Sequence, residues 1–389
     1  MKHSFQGYIR PDGQVGIRNQ VAVIPSVVCA NDVVHAIVRQ VQGTVGLFHH
    51  QGCCQLSPDL DRVTETLTGL GCNPNAGAVL IVALGCEGTD VSQLHAEIAK
   101  TGKPVEVIYI QELGGTSKAI AAGIDAASRL VRKISARQRE TVDISRLVLS
   151  LKCGASDATS GVASNCVLGY VTDKIIDLGG TVIFGETTEF LGAEHILAKR
   201  ARTQEIGSRI YEIVDRMEKR ANALGVDMRK GQPTPGNILG GLSSIEEKSL
   251  GAIVKSGTHP IEGVMEYTDN IGGNKGLWIK DTPGREPEIL TGMSCAGSQV
   301  MLFSTGRGAP QGFPIMPVIK VCGNPITYEH MQNDMDVNAG LILLGERSIE
   351  EVGEETFSML LNVLNGEHSK NESLGYFSAI DIYTLGPVI

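Results

Sequence analysis

The feature that most constrains the fold is a strict alternation of apolar, strand-like runs with helix-like segments in the first third of the chain. The predicted strands are residues 21–25, 44–48, 78–84 and 105–110, and the predicted helices are residues 31–41, 60–70, 91–100 and 116–134. Neighbouring parallel strands need a crossover connection, usually a helix, so this order predicts a parallel sheet with helices on both faces. The chain contains 47 glycines and only 4% aromatic residues, which favours many tight turns over an aromatic-rich sandwich.

The charged segment at residues 132–141 has the character of a helix end and a linker. We therefore predict two domains: a doubly wound parallel α/β domain at residues 1–140 and a second, loop-rich α/β domain at residues 141–389. In the second domain the pattern predicts one long polar helix over residues 193–223 and a closing helix over 349–364. Its Gly- and Pro-rich loops favour a binding role, with a loop-rich structural domain as the alternative.

Composition and motifs exclude several classes of function. The net charge of −9 argues against a nucleic-acid partner, which normally needs a basic face. We find no signal peptide and no apolar run long enough to span a membrane. Nine cysteines without a repeated spacing indicate reduced thiols in the cytoplasm rather than a disulfide framework. A nicotinamide-dependent dehydrogenase is disfavoured because no G-x-G-x-x-G follows the first strand.

Two predicted strands of the second domain, at residues 147–151 and 181–184, end in polar residues. These are Cys153, Ser156, Asp157 and Ser160 after the first strand, and Glu186, Glu189 and His195 after the second. In an open parallel sheet, ligands bind just beyond the carboxyl ends of the strands. A thiol, carboxylates and an imidazole can hold a divalent metal or move protons at carbon. The sequence therefore predicts the functional site at this edge.

Two segments of the first domain leave alternatives open. The loop HHQGCCQ at residues 49–55 offers His50 and Cys53 as soft metal ligands, but loop histidines and small buried thiols fit the same letters. Arg10 and Arg18 bracket the turn-rich segment 7–19. They are either solvated arginines of a surface hairpin or a clamp for a carboxylate.

Motifs along nearly the whole chain resemble the altronate/galactarate dehydratase family. In order they are GYIRPDGQVGIRN (7–19), HHQGCCQ (49–55), CGASDATSGVASN (153–165), GETTEFLGAEH (185–195), QPTPGNILGGLSSIEEKSLGAI (232–253), DTPG (281–284), STGRGAP (304–310) and CGNPITY (322–328). The chain departs from the family pattern at Cys54, where relatives tend to have glycine, and at His49. These two departures bear on which residues of this loop bind a metal.

The resemblance implies a lyase that removes water from a sugar acid of the altronate or galactarate type by α-proton abstraction and β-elimination. Loss of sulfite from (2R)-sulfolactate is the runner-up, and a non-catalytic small-molecule binding protein is a further alternative. The resemblance also implies a divalent metal, with iron as the first choice and manganese or magnesium as alternatives. Longer family members carry a small SAF-type domain that split relatives hold as a separate subunit. We therefore expect a small SAF partner, and an oligomer.

We assign candidate roles to residues on these loops. The expected metal ligands are Cys153, Glu186, His195, His50 and Cys53. The expected catalytic residues are Lys248, Lys255, Asp157 and Glu189, with a lysine acting as base if burial lowers its pKa. The expected substrate-binding residues are Arg18, Ser156, Ser160, Asn237, Thr305, Arg307 and Asn324.

Overall fold

The computed structural model describes residues 3–231, 233–377 and 380–387. In the first part of the chain the elements are β1 (Ser4–Ile9), β2 (Val15–Gly16), β3 (Gln20–Pro25), α1 (Asn31–Gln40), β4 (Thr44–Gly46), α2 (Ser57–Cys72), β5 (Ala76–Ala83), α3 (Val91–Ala99), β6 (Val105–Tyr109), α4 (Thr116–Ser135) and β7 (Glu140–Asp143). Strands β3 to β6 form a parallel sheet in the order β4-β3-β5-β6. Helices α1 and α4 cover one face, and α2 and α3 cover the other. The predicted doubly wound parallel domain is confirmed.

The segment around Arg10 and Arg18 is a small antiparallel sheet in which β1 pairs with both β2 and β7. Both arginines are buried. Arg10 donates to the carbonyls of Pro74 and Arg18, each at 2.7 Å. Arg18 pairs with Glu372 at 2.9 Å. Both interpretations are therefore wrong. The two guanidinium groups bind buried carbonyl groups and the carboxylate of Glu372, and they face neither solvent nor a ligand cavity.

The boundary near residue 140 stays a prediction; the chain enters β7 at that point. The elements that follow are β8 (Val148–Gly154), α5 (Ala158–Val162), α6 (Ser164–Asp177), β9 (Thr181–Phe184), α7 (Glu194–Lys199), α8 (Gln204–Ala223), α9 (Met228–Gly231), α10 (Pro235–Leu239), α11 (Ile245–Ile253), β10 (Ile261–Met265), β11 (Gly276–Lys280), α12 (Glu286–Cys295), β12 (Val300–Thr305), β13 (Val318–Cys322), α13 (Pro325–His330), β14 (Val337–Asn338), α14 (Ile349–Leu364) and α15 (Lys370–Leu374). Strands β8 to β14 form a second parallel sheet in the order β10-β11-β9-β8-β12-β13-β14.

The long helix expected over residues 193–223 is in fact two helices, α7 and α8. The chain leaves the helical path between them because Ala201 forms a parallel bridge with Ile261 at the start of β10. The amide of Arg202 donates to the carbonyl of Ile261 at 2.9 Å. Pairing with a strand edge therefore overrides a continuous helical pattern.

The two sheets share one apolar core. Helices α6 and α14 cover one face of the second sheet, while α12 and the first domain's α2 cover the other. Buried amides join the two parts: Asn73 Nδ2 donates to the carbonyl of Ser294 at 2.9 Å, and Asn75 Nδ2 donates to that of Gln299 at 2.8 Å. These contacts fix how the loops of the two sheets lie relative to each other. Among the described residues, no helix is both long and apolar enough to cross a membrane.

The buried Lys320 of β13 is expected to lower the free energy of unfolding relative to an apolar side chain at the same position. The Nζ of Lys320 is fully buried and has no hydrogen-bond partner among the described residues. Burial lowers its pKa well below 10.5. The face of the Phe303 ring lies 3.4 Å from Nζ, and such a contact contributes roughly 2 kcal/mol to a charged amine. That is less than the cost of burying an unpaired ammonium, so the amine is neutral.

We expect Lys320→Met to raise the free energy of unfolding by about 1–3 kcal/mol at pH 7, because an unsatisfied polar group leaves the core. Between the folded and unfolded pKa of Lys320 the unfolded chain binds more protons, so wild-type stability rises with pH. The advantage of the variant should therefore shrink as the pH approaches 10.5. Urea unfolding of both proteins at several pH values measures this. The exposed Lys118→Met is the control, and a variant less stable than wild type at pH 7 would contradict the prediction.

Candidate active site

The predicted edge of the second sheet holds a cavity of about 440 Å³. Strands β8 and β9 are parallel neighbours, so their carboxyl ends meet there, as predicted. The walls of the cavity include Lys152, Cys153, Glu189, Lys248 and Glu286. A smaller cavity of about 270 Å³ is lined by α5 and α11 and shares Cys153, Ser156 and Lys248 with the first. The two cavities thus meet around the thiol and one lysine.

A buried cluster of charges lies at the base of the larger cavity. Lys152 Nζ forms an ion pair with Glu186 Oε1 and donates to the carbonyl of Cys153 at 2.6 Å. Lys255 Nζ lies 2.7 Å from Glu186 Oε2 and 3.1 Å from Glu189 Oε2. Each of these four charged side chains is at most 5% exposed. Two ammonium groups are therefore matched to two carboxylates out of contact with water.

Lys248 adds a third cation on the cavity side of this cluster. Its Nζ lies 3.8 Å from Glu189 Oε1, and its side chain is 14% exposed. Lys152, Lys248 and Lys255 together oppose Glu186 and Glu189, and Glu286 is a third carboxylate on the cavity wall. Of the three lysines, Lys248 is the most exposed, and its position on the cavity wall makes it available to an anionic ligand.

The backbone is strained at this site. Glu186 has φ 70° and ψ 61°, the left-handed conformation that non-glycine residues rarely adopt. Its amide donates to Thr282 Oγ1 at 2.8 Å, and its Oε2 accepts from the amide of Cys153 at 2.9 Å. Ala155, on the adjacent loop, also has a positive φ of 48°. Such strain persists only where many surrounding contacts hold the residue in that conformation. Strained residues of this kind are concentrated at functional sites.

The charges in the cluster set one another's pKa values. Burial alone would lower the pKa of Lys255, but the carboxylates of Glu186 and Glu189 outweigh it and raise that pKa above its usual value. Lys255 therefore stays protonated, and the condition under which we expected it to act as a base, a pKa lowered by burial, is not met. Burial raises the pKa of Glu186. The nearby lysines overcome the effect of burial on Glu189 and lower its pKa.

Cys153 ends β8 with a buried thiol. Its Sγ lies 3.0 Å from Ser156 Oγ and 3.6 Å from Asn165 Nδ2. The Oδ1 of Asn165 accepts a hydrogen bond from Ser304 Oγ. Burial, and then the charge of Glu189, raise the thiol pKa above its ordinary value. Cys153 is therefore a neutral thiol in this setting.

Several other predicted residues surround the cavities with their side chains already bonded. Asp157 caps α5: its Oδ1 accepts from the amides of Thr159 and Ser160. Its Oδ2 accepts from Asn324 Nδ2 at 3.0 Å. Ser160 lines the smaller cavity. Asn237 lines the larger one and donates to the carbonyl of Ser156 at 2.9 Å. Asp157 and Asn324 therefore shape the loops, while Asn237, Ser156 and also Asp157 line the cavities.

Three predicted substrate-binding residues lie elsewhere in the structure. Arg18 belongs to the buried pair with Glu372 described above. Arg307 is exposed and donates to the carbonyl of Gly236 at 2.5 Å. Thr305 is buried, and its Oγ1 accepts from the amide of Gly308 at 3.0 Å. The structure brings none of these three side chains to the wall of either cavity.

The expected metal ligands do not come together. His195 is exposed on α7, outside both cavities. His50 lies in the first domain, with Nδ1 3.2 Å from Asp381 and Nε2 2.7 Å from Gln51. Cys53 is exposed beside Cys54. Within residues 3–231, 233–377 and 380–387, no three His, Cys, Asp or Glu side chains converge closely enough to hold a metal ion.

The chemistry of the buried cluster does not suit a divalent metal either. Both carboxylate oxygens of Glu186 already accept hydrogen bonds, Oε1 from Lys152 and Oε2 from Lys255. A cation bound there would face two ammonium groups at close range. Cys153 and Glu186 are neighbours, as expected, but the groups around them are those of a site for an anion.

Sequence reasoning missed Lys152, Arg285 and Glu286. Lys152 interrupts an otherwise apolar strand, LVLSLKC, and a lysine in a buried parallel strand is itself a signal because it needs a buried partner. Glu286 lines the cavity in the first turn of α12. Arg285 precedes it and pairs with Asp381 at 2.8 Å. No motif distinguished these last two from ordinary surface charges.

Models of two family domains match almost the whole chain. Residues 7–135 match the second domain of D-galactarate dehydratase/altronate hydrolase, and residues 144–388 match the C-terminal domain of D-galactarate/altronate dehydratase. The chain belongs to the galactarate/altronate dehydratase family. The resemblance inferred from the loop motifs is confirmed.

Relatives within the galactarate/altronate dehydratase family carry different activities in their names. The chain is 38% identical to (2R)-sulfolactate sulfo-lyase subunit beta of Chromohalobacter salexigens, over 96% of this chain and 95% of that one. It is 34% identical to galactarate dehydratase (L-threo-forming) of Escherichia coli, over 99% of this chain and 77% of that enzyme. It is 30% identical to altronate dehydratase of Bacillus subtilis, over 95% and 76%. The dehydratase/lyase class is common to all three names.

Proposed function

We propose that the larger cavity is the active site of a lyase that eliminates a β leaving group from a 2-hydroxy acid. The observation that carries this proposal is the set of three lysines around two buried carboxylates at the carboxyl edge of β8 and β9. Removing a proton next to a carboxylate creates a dianion, and such an intermediate needs fixed positive charge in a site shielded from water.

Each group has a role in this reaction. Lys248 binds the substrate carboxylate, and the charge of Lys152 behind the cavity wall helps to stabilise the negative charge that develops on it. Glu189, which is kept ionised by its lysine neighbours, takes the α-proton. As the C–H bond breaks, its electrons form a carbon–carbon double bond, and the β leaving group departs with the electrons of its own bond, either as sulfite or as a hydroxide that takes the proton from Glu189 and leaves as water. The resulting enol tautomerises to a 2-oxo acid.

Lys255 and Glu186 act beneath the reacting groups as positioning residues. Lys255 holds Glu189 through a 3.1 Å contact. Glu186 holds Lys255 and the backbone of Cys153. This arrangement prevents Glu189 from swinging out of reach of the substrate, and orientation of this kind contributes to the rate. The metal implied by the family resemblance has no step here, because the residues of this cavity do not fit one.

The leaving group has two candidates. Water is supported by the relatives named as galactarate and altronate dehydratases. Sulfite is supported by the sulfolactate sulfo-lyase relative, which matches this chain over 95% of its own length. The word subunit in that name also supports a second polypeptide for this chain, and we propose a small SAF-type partner that closes the site.

An activity screen tests the proposal. The purified chain, with and without the partner subunit, is incubated with altronate, galactarate and (2R)-sulfolactate. We expect a 2-oxo acid from one of these substrates, and released sulfite in the sulfolactate case only. Addition of the partner should raise kcat more than it lowers KM, because a lid acts in the closed state. Tight binding of these acids with no product would indicate a binding protein and would contradict the proposed activity.

A further inference from the structure

Glu286 is a carboxylate on the wall of the larger cavity that the proposed reaction does not use. It is the first residue of α12, and its side chain is partly buried. Within the described part of the chain, this carboxylate takes part in no hydrogen bond and no ion pair. Its charge contributes to the raised pKa of Lys152, but the two groups are too far apart to form an ion pair. Glu286 is therefore free to contact a ligand in the cavity.

The end of β8 determines where the Glu286 carboxylate lies. A Cβ atom at Gly154 would lie 2.7 Å from Glu286 Oε1, so the missing side chain of Gly154 leaves room for the carboxylate beside the backbone that follows Cys153. The loop before α12 is held as well, because the carbonyl of Gly284 accepts a hydrogen bond from Lys152 Nζ at 3.1 Å. These contacts keep the carboxylate at the cavity wall.

Two cations that also line this cavity already have carboxylate partners. Lys152 forms the buried ion pair with Glu186. Arg285 lies 2.6 Å from Glu288 Oε1 and 2.8 Å from Asp381 Oδ2. Neither cation is therefore free to form a new ion pair with an anionic group of a ligand.

The cavity thus offers one place for an anionic group and another for groups that donate hydrogen bonds. Lys248 is the cation that binds the substrate carboxylate in the proposed reaction. The carboxylate of Glu286 accepts hydrogen bonds from hydroxyl groups and repels a second anionic group. The hydroxyl-bearing side chains of Ser156, Thr188 and Thr234 also line the cavity. A ligand that matches these walls has a single negative charge and several hydroxyl groups.

We propose that Glu286 is a specificity-determining residue, which binds the hydroxyl groups of a polyhydroxy acid and repels a second carboxylate or a sulfonate. Specificity of this kind combines attraction for one ligand with repulsion of its competitors. Altronate carries a single carboxylate, whereas galactarate and (2R)-sulfolactate each carry two anionic groups. The inference rests on the proposed function, because it takes the larger cavity as the substrate site.

Affinities for altronate and galactarate test the proposal, since both acids have the same number of carbon atoms and galactarate has one more carboxylate. Dissociation constants are measured by calorimetry in the Glu189→Gln protein, in which slow turnover does not disturb the heat of binding. The same measurements are made after adding Glu286→Gln. Each acid is compared with itself across the two proteins, so the different stereochemistry of the acids cancels.

The matched control adds Glu246→Gln to the Glu189→Gln protein. Glu246 is likewise a glutamate in the first turn of a helix, α11, but it lines neither cavity. A carboxylate at this position of a helix interacts favourably with the helix dipole. Thermal unfolding of all the proteins measures that structural contribution, which should not alter the preference between the two acids.

In the Glu189→Gln protein we expect altronate to bind about tenfold more tightly than galactarate, because like charges repel in a partly buried site. Adding Glu286→Gln should remove most of this preference, and adding Glu246→Gln should preserve it. A preference that Glu286→Gln leaves unchanged would overturn the proposal, as would tighter binding of galactarate before Glu286 is changed, or no binding of altronate.

The binding experiment and the activity screen can fail separately. Product formed by the wild-type chain, together with a preference that does not depend on Glu286, would leave the lyase assignment intact and overturn the role of Glu286. A preference that depends on Glu286, without product from any of the acids, would support the role of Glu286 and contradict the lyase activity.

Discussion

Glu189→Gln is expected to lower kcat by a factor of about 10²–10⁴, the usual contribution of a positioned general base. Glutamine has almost the same shape as glutamate but takes up no proton at neutral pH. Because Lys255 keeps its 2.7 Å contact with Glu186, the variant should remain folded and should still bind the substrate carboxylate. The expected effect is therefore on kcat, with KM changed much less.

The matched control is Glu246→Gln, an exposed carboxylate in the first turn of α11. It should leave kcat unchanged, since it lines neither cavity. Wild-type kcat in Glu189→Gln would contradict the assignment and would direct attention to Lys248 or Glu286 as the base. The measurement uses the substrate that the activity screen identifies.

The pH profile of the wild-type enzyme gives an independent check on the same residue. The lysines around Glu189 outweigh the effect of its burial and hold its pKa below 4.5. A base with a depressed pKa stays ionised as the pH falls, and it loses activity only below that pKa. The acid limb of kcat/KM that belongs to Glu189 should therefore lie below pH 4.5. An acid limb near neutral pH that disappears in Glu189→Gln would contradict this.

The sequence predicted the edge of the sheet that carries the site, but not the groups that define its chemistry. Strand and turn patterns are local, and they correctly indicated that β8 and β9 end side by side with Cys153 and Glu186. The charge balance depends on contacts far apart in the chain. Lys255 lies 69 residues from Glu186, and no spacing rule connects them. For the same reason, the sequence could not show that the five expected metal ligands do not converge among the described residues.

Arg18 and the break between helices α7 and α8 show the same limit of sequence-based prediction. Arg18 has the sequence context of a ligand clamp, yet its partner Glu372 lies 354 residues away in α15. The helix break before α8 depends on a bridge between Ala201 and Ile261. Neither contact can be inferred from local helix or turn propensities, because each joins residues that are far apart in the chain.

Lys255→Met is expected to lower the free energy of unfolding by about 3–5 kcal/mol, because it removes the buried ammonium that contacts both carboxylates and leaves each of them with a single lysine. Lys255 Nζ contacts Glu186 and Glu189, and all three side chains are at most 5% exposed. In wild type the pKa of Lys255 is raised, so its stabilising contribution is complete at pH 7 and is lost only as the pH rises through that raised pKa. Thermal and urea unfolding at pH 7 measure the loss.

Two further variants show whether the loss comes from charge or from packing. Lys100→Met removes an exposed pair with Glu97 and should change stability by less than about 1 kcal/mol. The double variant Lys255→Met/Glu189→Gln removes one charge of each sign, leaves Lys152 paired with Glu186 and should recover part of the loss. In Lys255→Met alone, loss of the ammonium that contacts Glu186 and Glu189 should raise the pKa values of both carboxyl groups, which then take up protons on folding, so the deficit should shrink as the pH falls toward 5. A deficit that is independent of pH and unrelieved in the double variant would mean that packing of the lysine stem, and not its charge, stabilises the site.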